Sequence, residues 1–407
     1  MSRSGGPTWA VVLFVLLALA LLTLSPPAAA QEKDANPPGA PKIDAASWAV
    51  VDRETGLYLA GKDPDRQLPI ASTTKVMVAL VALEDGVDLD EEVTVSENAA
   101  SYAGGVYSAA GLFPFDTVSV RELLEATLVP SGTDAVYALA EHLGGGSVDE
   151  FVGRMNREAE QMGLENTRFE NPAGLDERGH YSSARDLAEI TRRAMEYPEF
   201  REIVDKTGIT ITTENPAESR EISLDTTNLL ISEGSGYNYG AANGVKTGTS
   251  PAAGPCLISS AQNGDESYVA VVLDASEDLY RFEASRAALE YGFGDFGETT
   301  FVEKDRRFEE LQLPYRREES VEVVAARKLS GFGGPGLEVE RQAETVNEAP
   351  PSAEAGEKLG SVEVFVEGRS AGSVPLVAAK GYEEAGIWQR IRYWTSGAVR
   401  GVSNWFS

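Results

Sequence analysis

Leu68-Pro69-Ile70-Ala71-Ser72-Thr73-Thr74-Lys75-Val76-Met77-Val78-Ala79-Leu80-Val81-Ala82-Leu83 is a polar start followed by a long apolar run, the pattern of a helix with a chemically loaded first turn. If Ser72 opens that helix, Ser72 and Lys75 lie three positions apart on one face, within mutual reach. A lysine so placed can act as base to a serine.

Working outward, Ser47 to Asp52, a Glu54-Thr55-Gly56 turn and Leu57 to Ala60 predict a hairpin just before the serine. Beyond the apolar run, Val120 to Ala126 and Asp134 to Ala140 read as two helices broken by Pro130-Ser131-Gly132, which puts Ser131 on a turn. Val148 to Met162 is an amphipathic helix, and Ser183 with Asp186 matches a capping box ahead of Leu187. His180, just upstream, reads as a loop histidine that positions backbone. Asn243 to Thr249 predicts a strand carrying Lys246, Thr247 and Thr249, and Tyr268 to Leu273 a central, buried one. Ala284 to Tyr291 closes this region as a helix.

After Phe296 the texture changes to short alternating runs, Ser320 to Val324, Leu337 to Glu340 and Ser361 to Val366, with a turn at Glu367-Gly368-Arg369-Ser370. Alternation means strands. The expected organisation is a signal peptide over 1–30, a linker over 31–42, a catalytic α/β domain over 43–295 and a β-rich domain over 296–385. Within the last, 331–357 is expected to be one long loop. In 386–407, Ile387, Ile391, Trp394, Ala398, Val402 and Trp405 share one stripe, widened by Trp388, Val399 and Phe406, while Arg390, Arg392 and Arg400 fall elsewhere. This suits a helix lying in a membrane interface; the alternative is a helix packed on its own domain. At the other end, Arg3, the apolar stretch Trp9 to Leu24 and Ala28-Ala29-Ala30 suit a cleavable export signal. An uncleaved anchor is the alternative.

Composition excludes several classes. A net charge of -29 over 407 residues leaves no basic stripe for nucleic acid. The one cysteine, Cys256, has no partner for an internal disulfide and reads as a small buried hydrophobe. Two histidines, His142 and His180, give little material for a Ser-His-Asp triad or a histidine metal site. No metal or cofactor is called for.

Singly, each short motif is weak. In order, Ser72-Thr73-Thr74-Lys75, Ser131 on a turn and Lys246-Thr247-Gly248 on a strand make the three-part signature of penicillin-recognising serine enzymes. The chain resembles the low-molecular-mass D-alanyl-D-alanine carboxypeptidases, peptidase family S11, across roughly residues 43 to 407. Leu68 to Lys75, Leu128 to Gly132, Asn171-Pro172-Ala173-Gly174-Leu175, His180 to Leu187 and Gly244 to Thr249 carry the likeness.

The resemblance implies a serine β-lactamase/transpeptidase-like fold, an antiparallel sheet flanked by helices, followed by a small all-β domain and an amphipathic helix. It implies removal of the terminal D-Ala from peptidoglycan stem peptides, with β-lactams as acylating inhibitors and no cofactor. Ser72 would attack the penultimate D-Ala carbonyl and Lys75 would take its proton, the amine's pKa lowered by burial and by Lys246. Ser131 would relay a proton to the leaving D-Ala. Lys246, Thr247 and Thr249 would hold the terminal carboxylate, with the Ser72 and Thr249 N–H groups as oxyanion donors. The family has asparagine where this chain has Thr133, which keeps a hydroxyl and loses the amide. Altered efficiency rather than loss is expected there. Two other readings remain open: a class A-like β-lactamase, whose Glu-x-x-Leu-Asn string is not found between Ser131 and Lys246, and a catalytically weak peptidoglycan-binding scaffold.

Overall fold

The structure, a computed structural model, describes residues 36–316 and 318–403, with side chains described as far as 395 in the last helix. The expected signal over 1–30 and residues 31–35 of the expected linker lie outside the described residues.

Strands β1 (Ala45–Asp52) and β2 (Tyr58–Lys62) pair antiparallel, as the hairpin pattern requires. A 3-10 turn, Ala71–Thr74, runs straight into the helix Lys75–Glu84, nine of whose residues are buried. A helix apolar all round must be enclosed all round. The neighbours enclosing it include the helices Val120–Leu128, Thr133–Leu143, Val148–Gln161 and Ala184–Ala194. Among these lies a small four-stranded sheet of β3 (Glu92–Thr94), β4 (Thr117–Ser119), β5 (Gly208–Glu214) and β6 (Ser219–Asp225).

The chain then returns to the main sheet as β7 (Ala242–Ser250), β8 (Gly254–Asn263) and β9 (Glu266–Ala275). The order is β2-β1-β9-β8-β7, every pairing antiparallel, with β9 in the middle and β7 at an open edge. Alternation divides its side chains between two cores. Ala49, Val51, Val269, Val271 and Ile258 pack into the helical layer. Trp48, Val50, Ala270 and Val272 face the other way, onto Ala284, Ala288 and Leu289 of the helix Tyr280–Asp295.

That second core continues into a β layer. It comprises the pair β10 (Gly297–Val302) and β13 (Leu329–Gly333), and a sheet ordered β11-β12-β16-β15-β14. The members of that sheet are β11 (Arg307–Gln312), β12 (Ser320–Ala325), β14 (Val339–Thr345), β15 (Lys358–Val366) and β16 (Arg369–Ala378). The β15–β16 turn is the two residues Glu367-Gly368, at φ +50° and +74°, the signs a primed hairpin turn needs.

Two expectations need correction. The stretch 331–357 is not one loop, because β13 ends in it and β14 crosses it. β14 is an exposed edge strand held through its backbone to β15; the alternating run Leu337 to Glu340 marks its start, and the polar and charged residues after Glu340 disguised the remainder as loop. Ser183 does cap its helix by accepting the Asp186 N–H at 3.1 Å, but Asp186 does not answer it. Its carboxylate instead accepts from the Asn166 N–H and the Thr167 hydroxyl. The reciprocal box is formed by Ser119 and Glu122, ahead of the helix Val120–Leu128.

Candidate active site

Ser72 stands on the 3-10 turn rather than in the helix proper, and Ala71 before it adopts φ +46°, a region costly for a residue with a Cβ. Side chains hold that turn. Thr73 Oγ1 donates to Ile70 O at 2.6 Å and Thr74 Oγ1 to Ala71 O at 2.8 Å. His180 Nδ1 accepts the Glu170 N–H at 3.1 Å, so the ring proton sits on Nε2, 2.8 Å from Thr74 Oγ1. Burial pushes His180 down to about 4, which keeps it neutral at ordinary pH.

Behind the turn sits Gly174, at φ +80°, where a Cβ would overlap Ala71 O and lie 2.9 Å from Ser72 N. Its loop is organised by Asn171, whose Oδ1 accepts the N–H groups of Ala173 (3.2 Å), Gly174 (2.8 Å) and Leu175 (2.9 Å).

Lys75 is fully buried and its Nζ is the centre of the cluster. It donates to Ser131 O at 2.8 Å and lies 3.2 Å from Ser72 Oγ and 3.3 Å from Ser131 Oγ. Thr133 Oγ1, at 3.5 Å, is at the outer limit of a hydrogen bond. Ser131 reaches this position from a turn where its own φ is +70°. Three bonds pin that turn and its neighbour: Gly132 N–H to Ala126 O, Thr133 N–H to Ser108 O, and Ala110 N–H to the buried Asp134 carboxylate.

Burial lowers Lys75 from 10.5 to about 7, with the negative charge of Asp134 working the other way. The expected push from Lys246 runs in the opposite direction. It is Lys246 that is held well below its ordinary value, first by burial and then by Lys75 and Arg281. Lys75 has a compensating carboxylate; the charges acting on Lys246 are both positive.

The edge strand β7 passes beside the serine turn. A Cβ on Gly248 would stand 3.0 Å from Ile70 O and 3.1 Å from Ser72 N, so the glycine of Lys246-Thr247-Gly248 is what lets the strand approach. Lys246 Nζ donates to Thr247 O at 2.9 Å, and the Thr247 and Thr227 hydroxyls are 2.5 Å apart. Opposite Thr249 stands Pro255, which has no N–H to offer, so the Thr249 carbonyl finds no donor from that residue across the ladder.

One residue at this strand was not singled out in the sequence. Arg281, on the helix behind the sheet, is buried and donates to Thr249 Oγ1 at 2.6 Å and Gly248 O at 3.2 Å. It lies 32 positions from Thr249, and no local pattern marks the contact. The structure thus gathers Ser72, Ser131 and, more loosely, Thr133 around the Lys75 amine, with Lys246, Thr247 and Thr249 on the adjoining strand. Cys256 is buried and burial raises its thiol to about 12, in keeping with a packing role.

A buried amine between two serines, beside an edge strand bearing Lys-Thr-Gly, defines a serine acyl-transfer enzyme of the penicillin-recognising class. The family model for D-alanyl-D-alanine carboxypeptidases, peptidase S11, matches residues 32–277, and the chain belongs to that family. Among curated relatives, it is 30% identical over 380 residues to the D-alanyl-D-alanine carboxypeptidase DacF of Bacillus subtilis, covering 92% of this chain and 94% of that one. It is 32% identical over 365 residues to DacC of Escherichia coli, covering 86% and 88%. Among solved structures, the DD-transpeptidase of Streptomyces K15 is 35% identical with a TM-score of 0.59, over 62% of this chain and 98% of that one. The carboxypeptidase DacD of Francisella tularensis, at 23% identity and TM-score 0.64, shares the fold over 86% of this chain and 96% of its own.

Proposed function

We propose that the chain removes the terminal D-Ala from pentapeptide stems of peptidoglycan through an acyl-enzyme on Ser72, and that penicillins acylate the same oxygen. The observation that carries the reading is the Lys75 amine, 3.2 Å from Ser72 Oγ and 3.3 Å from Ser131 Oγ, with burial lowering its pKa to about 7. Neutral Lys75 takes the Ser72 proton as Oγ attacks the penultimate D-Ala carbonyl. The N–H groups of Ser72 and Thr249 hold the oxyanion. The proton passes by way of Ser131 to the departing D-Ala nitrogen as the peptide bond breaks. Water then attacks the ester and Ser72 recovers its proton.

Lys246, with the Thr247 and Thr249 hydroxyls, receives the terminal carboxylate. Arg281 is added to the expected set, since its guanidinium orients the Thr249 hydroxyl. A bound carboxylate favours the charged form of Lys246, offsetting the depression caused by its two cationic neighbours. Thr133 occupies the place of the family's asparagine and offers a hydroxyl where that residue offers an amide. We assign the chemistry to 43–295 and a supporting role to the β-rich 296–385.

We also place the protein outside the cytoplasm, on a membrane surface. Among the described residues no helix is long and apolar enough to cross a membrane. The helix Ile387–Ser403 leaves Ile387, Trp388 and Trp394 72%, 79% and 69% exposed, while Arg390 and Tyr393 touch Tyr315 of the β layer. Large apolar side chains turned to solvent favour an interface helix over one packed on its own domain. The stripe from Ala398 onward lies outside the residues whose side chains are described.

Mass spectrometry of a pentapeptide muropeptide incubated with the protein should show loss of one D-Ala. Intact pentapeptide, or rapid turnover of penicillin in place of slow stoichiometric labelling, defeats the reading. Deleting 386–407 should release the protein from anionic vesicles in a sedimentation assay; continued co-sedimentation refutes the tail as anchor.

A further inference from the structure

We propose that the cavity beside Ala71 is a subsite for the side chain of the stem's third residue, and that Arg178 selects a side chain ending in both an ammonium and a carboxylate. The inference rests on the carboxypeptidase reading. With the terminal carboxylate at Lys246, the rest of the stem leaves along β7 in the direction of Thr249, Ser250 and Ala252. A peptide added to this open edge advances about 3.4 Å per residue. The residue before the acylating D-Ala therefore stands level with Ser250.

A cavity of about 260 Å³ opens there, lined by Ile70 and Ala71 on the serine side, Ala252 at the end of the strand, and Leu175 to Arg178 opposite. Below the size of ordinary small-molecule pockets, it suits one side chain rather than a whole ligand. Pro69, Ile70 and Leu175 supply apolar wall for a methylene chain. The charges at its rim differ in how they are engaged. Asp176 is already committed, accepting the Ser250 hydroxyl and the Ala252 N–H, and so joins the loop to the substrate strand. Glu177 is exposed and accepts one bond, from Asn171 Nδ2 at 3.2 Å. The Arg178 guanidinium, also exposed, has no hydrogen bond or ion pair among the described residues.

An unpaired guanidinium beside a half-used carboxylate is complementary to a zwitterionic end. Arg178 takes the carboxylate in a two-pronged contact and Glu177 the ammonium. A lysine side chain brings the ammonium alone and leaves Arg178 facing a like charge.

The test compares D-Ala release from three pentapeptides, with meso-diaminopimelate, its side-chain amide or L-lysine at the third position. Wild type should favour the free diaminopimelate by about 10-fold or more in kcat/KM, as one charge-assisted pair allows. Arg178→Gln should bring that substrate down to the level of its amide and leave the amide and lysine substrates no slower, since the lysine ammonium no longer faces a like charge. Equal rates on all three, or an Arg178→Gln variant that slows all three alike, overturns the subsite. Absence of release from every substrate would instead defeat the carboxypeptidase reading, and the subsite with it.

Discussion

Ser72→Ala should abolish both D-Ala release and covalent labelling by penicillin, and Lys75→Ala should slow labelling by about 10³-fold or more. The double variant should be no worse than Ser72→Ala, because residues that act as one unit do not add. Lys75 also fixes the pH dependence. Burial sets its amine at about 7, so below that pH it is protonated and cannot accept the serine proton. The second-order rate of acylation therefore rises with pH and levels above about 7. The neighbouring imidazole cannot produce that limb, since His180 is held near 4 and stays neutral throughout. Stopped-flow labelling across pH 5 to 9 decides the matter. An acid limb near 4, or Lys75→Ala labelled within tenfold of wild type, would remove Lys75 from the role of base.

The sequence carried the parts of this site that are local. Ser72 and Lys75 share one turn, so three-residue spacing and the apolar run after them were enough to place both. The unbroken apolar run Tyr268 to Leu273 and a break at Pro130-Ser131-Gly132 likewise report on their own neighbourhoods. What escaped is what depends on contacts between distant segments. Thr74 meets His180 across 106 positions, and Arg281 reaches Thr249 from another layer of the fold. The histidine's part as a backbone support was legible; its partner was not. The direction of charge coupling between Lys75 and Lys246 was also hidden, because it depends on Asp134, whose carboxylate is buried beneath the 110–112 backbone.

The nucleophile turn is held from three sides, and this explains why two strained residues persist there. Ala71 at φ +46° and Ser131 at φ +70° each sit where an L-residue pays roughly 1–3 kcal/mol. Both are over-determined by neighbours: the threonine bonds and Gly248 at one, the pinned 132–134 backbone at the other. The strain aims two serine oxygens at one amine. Relaxing either residue would restore ordinary backbone and separate the pair.

Gly174→Ala should therefore cost far more activity than its chemistry suggests. The new methyl group meets backbone, Ala71 O and Ser72 N, rather than a side chain that can swing aside. At φ +80° the substitution also carries the left-handed penalty of about 1–2 kcal/mol. Overpacking adds about 1–3 kcal/mol more. Either the 171–175 loop or the serine turn must move, and a displacement of about 1 Å at a reacting atom is enough for about 10²-fold in rate. Gly145→Ala is the matched control, since Gly145 has φ +66° and nothing within 4 Å of the added carbon. That variant pays the backbone term alone and should keep wild-type acylation. Thermal unfolding and penicillin labelling of the two proteins separate the terms. If Gly174→Ala is labelled as fast as Gly145→Ala, the loop does not set the position of Ser72, and the serine turn is held by its threonine bonds and Gly248 without it.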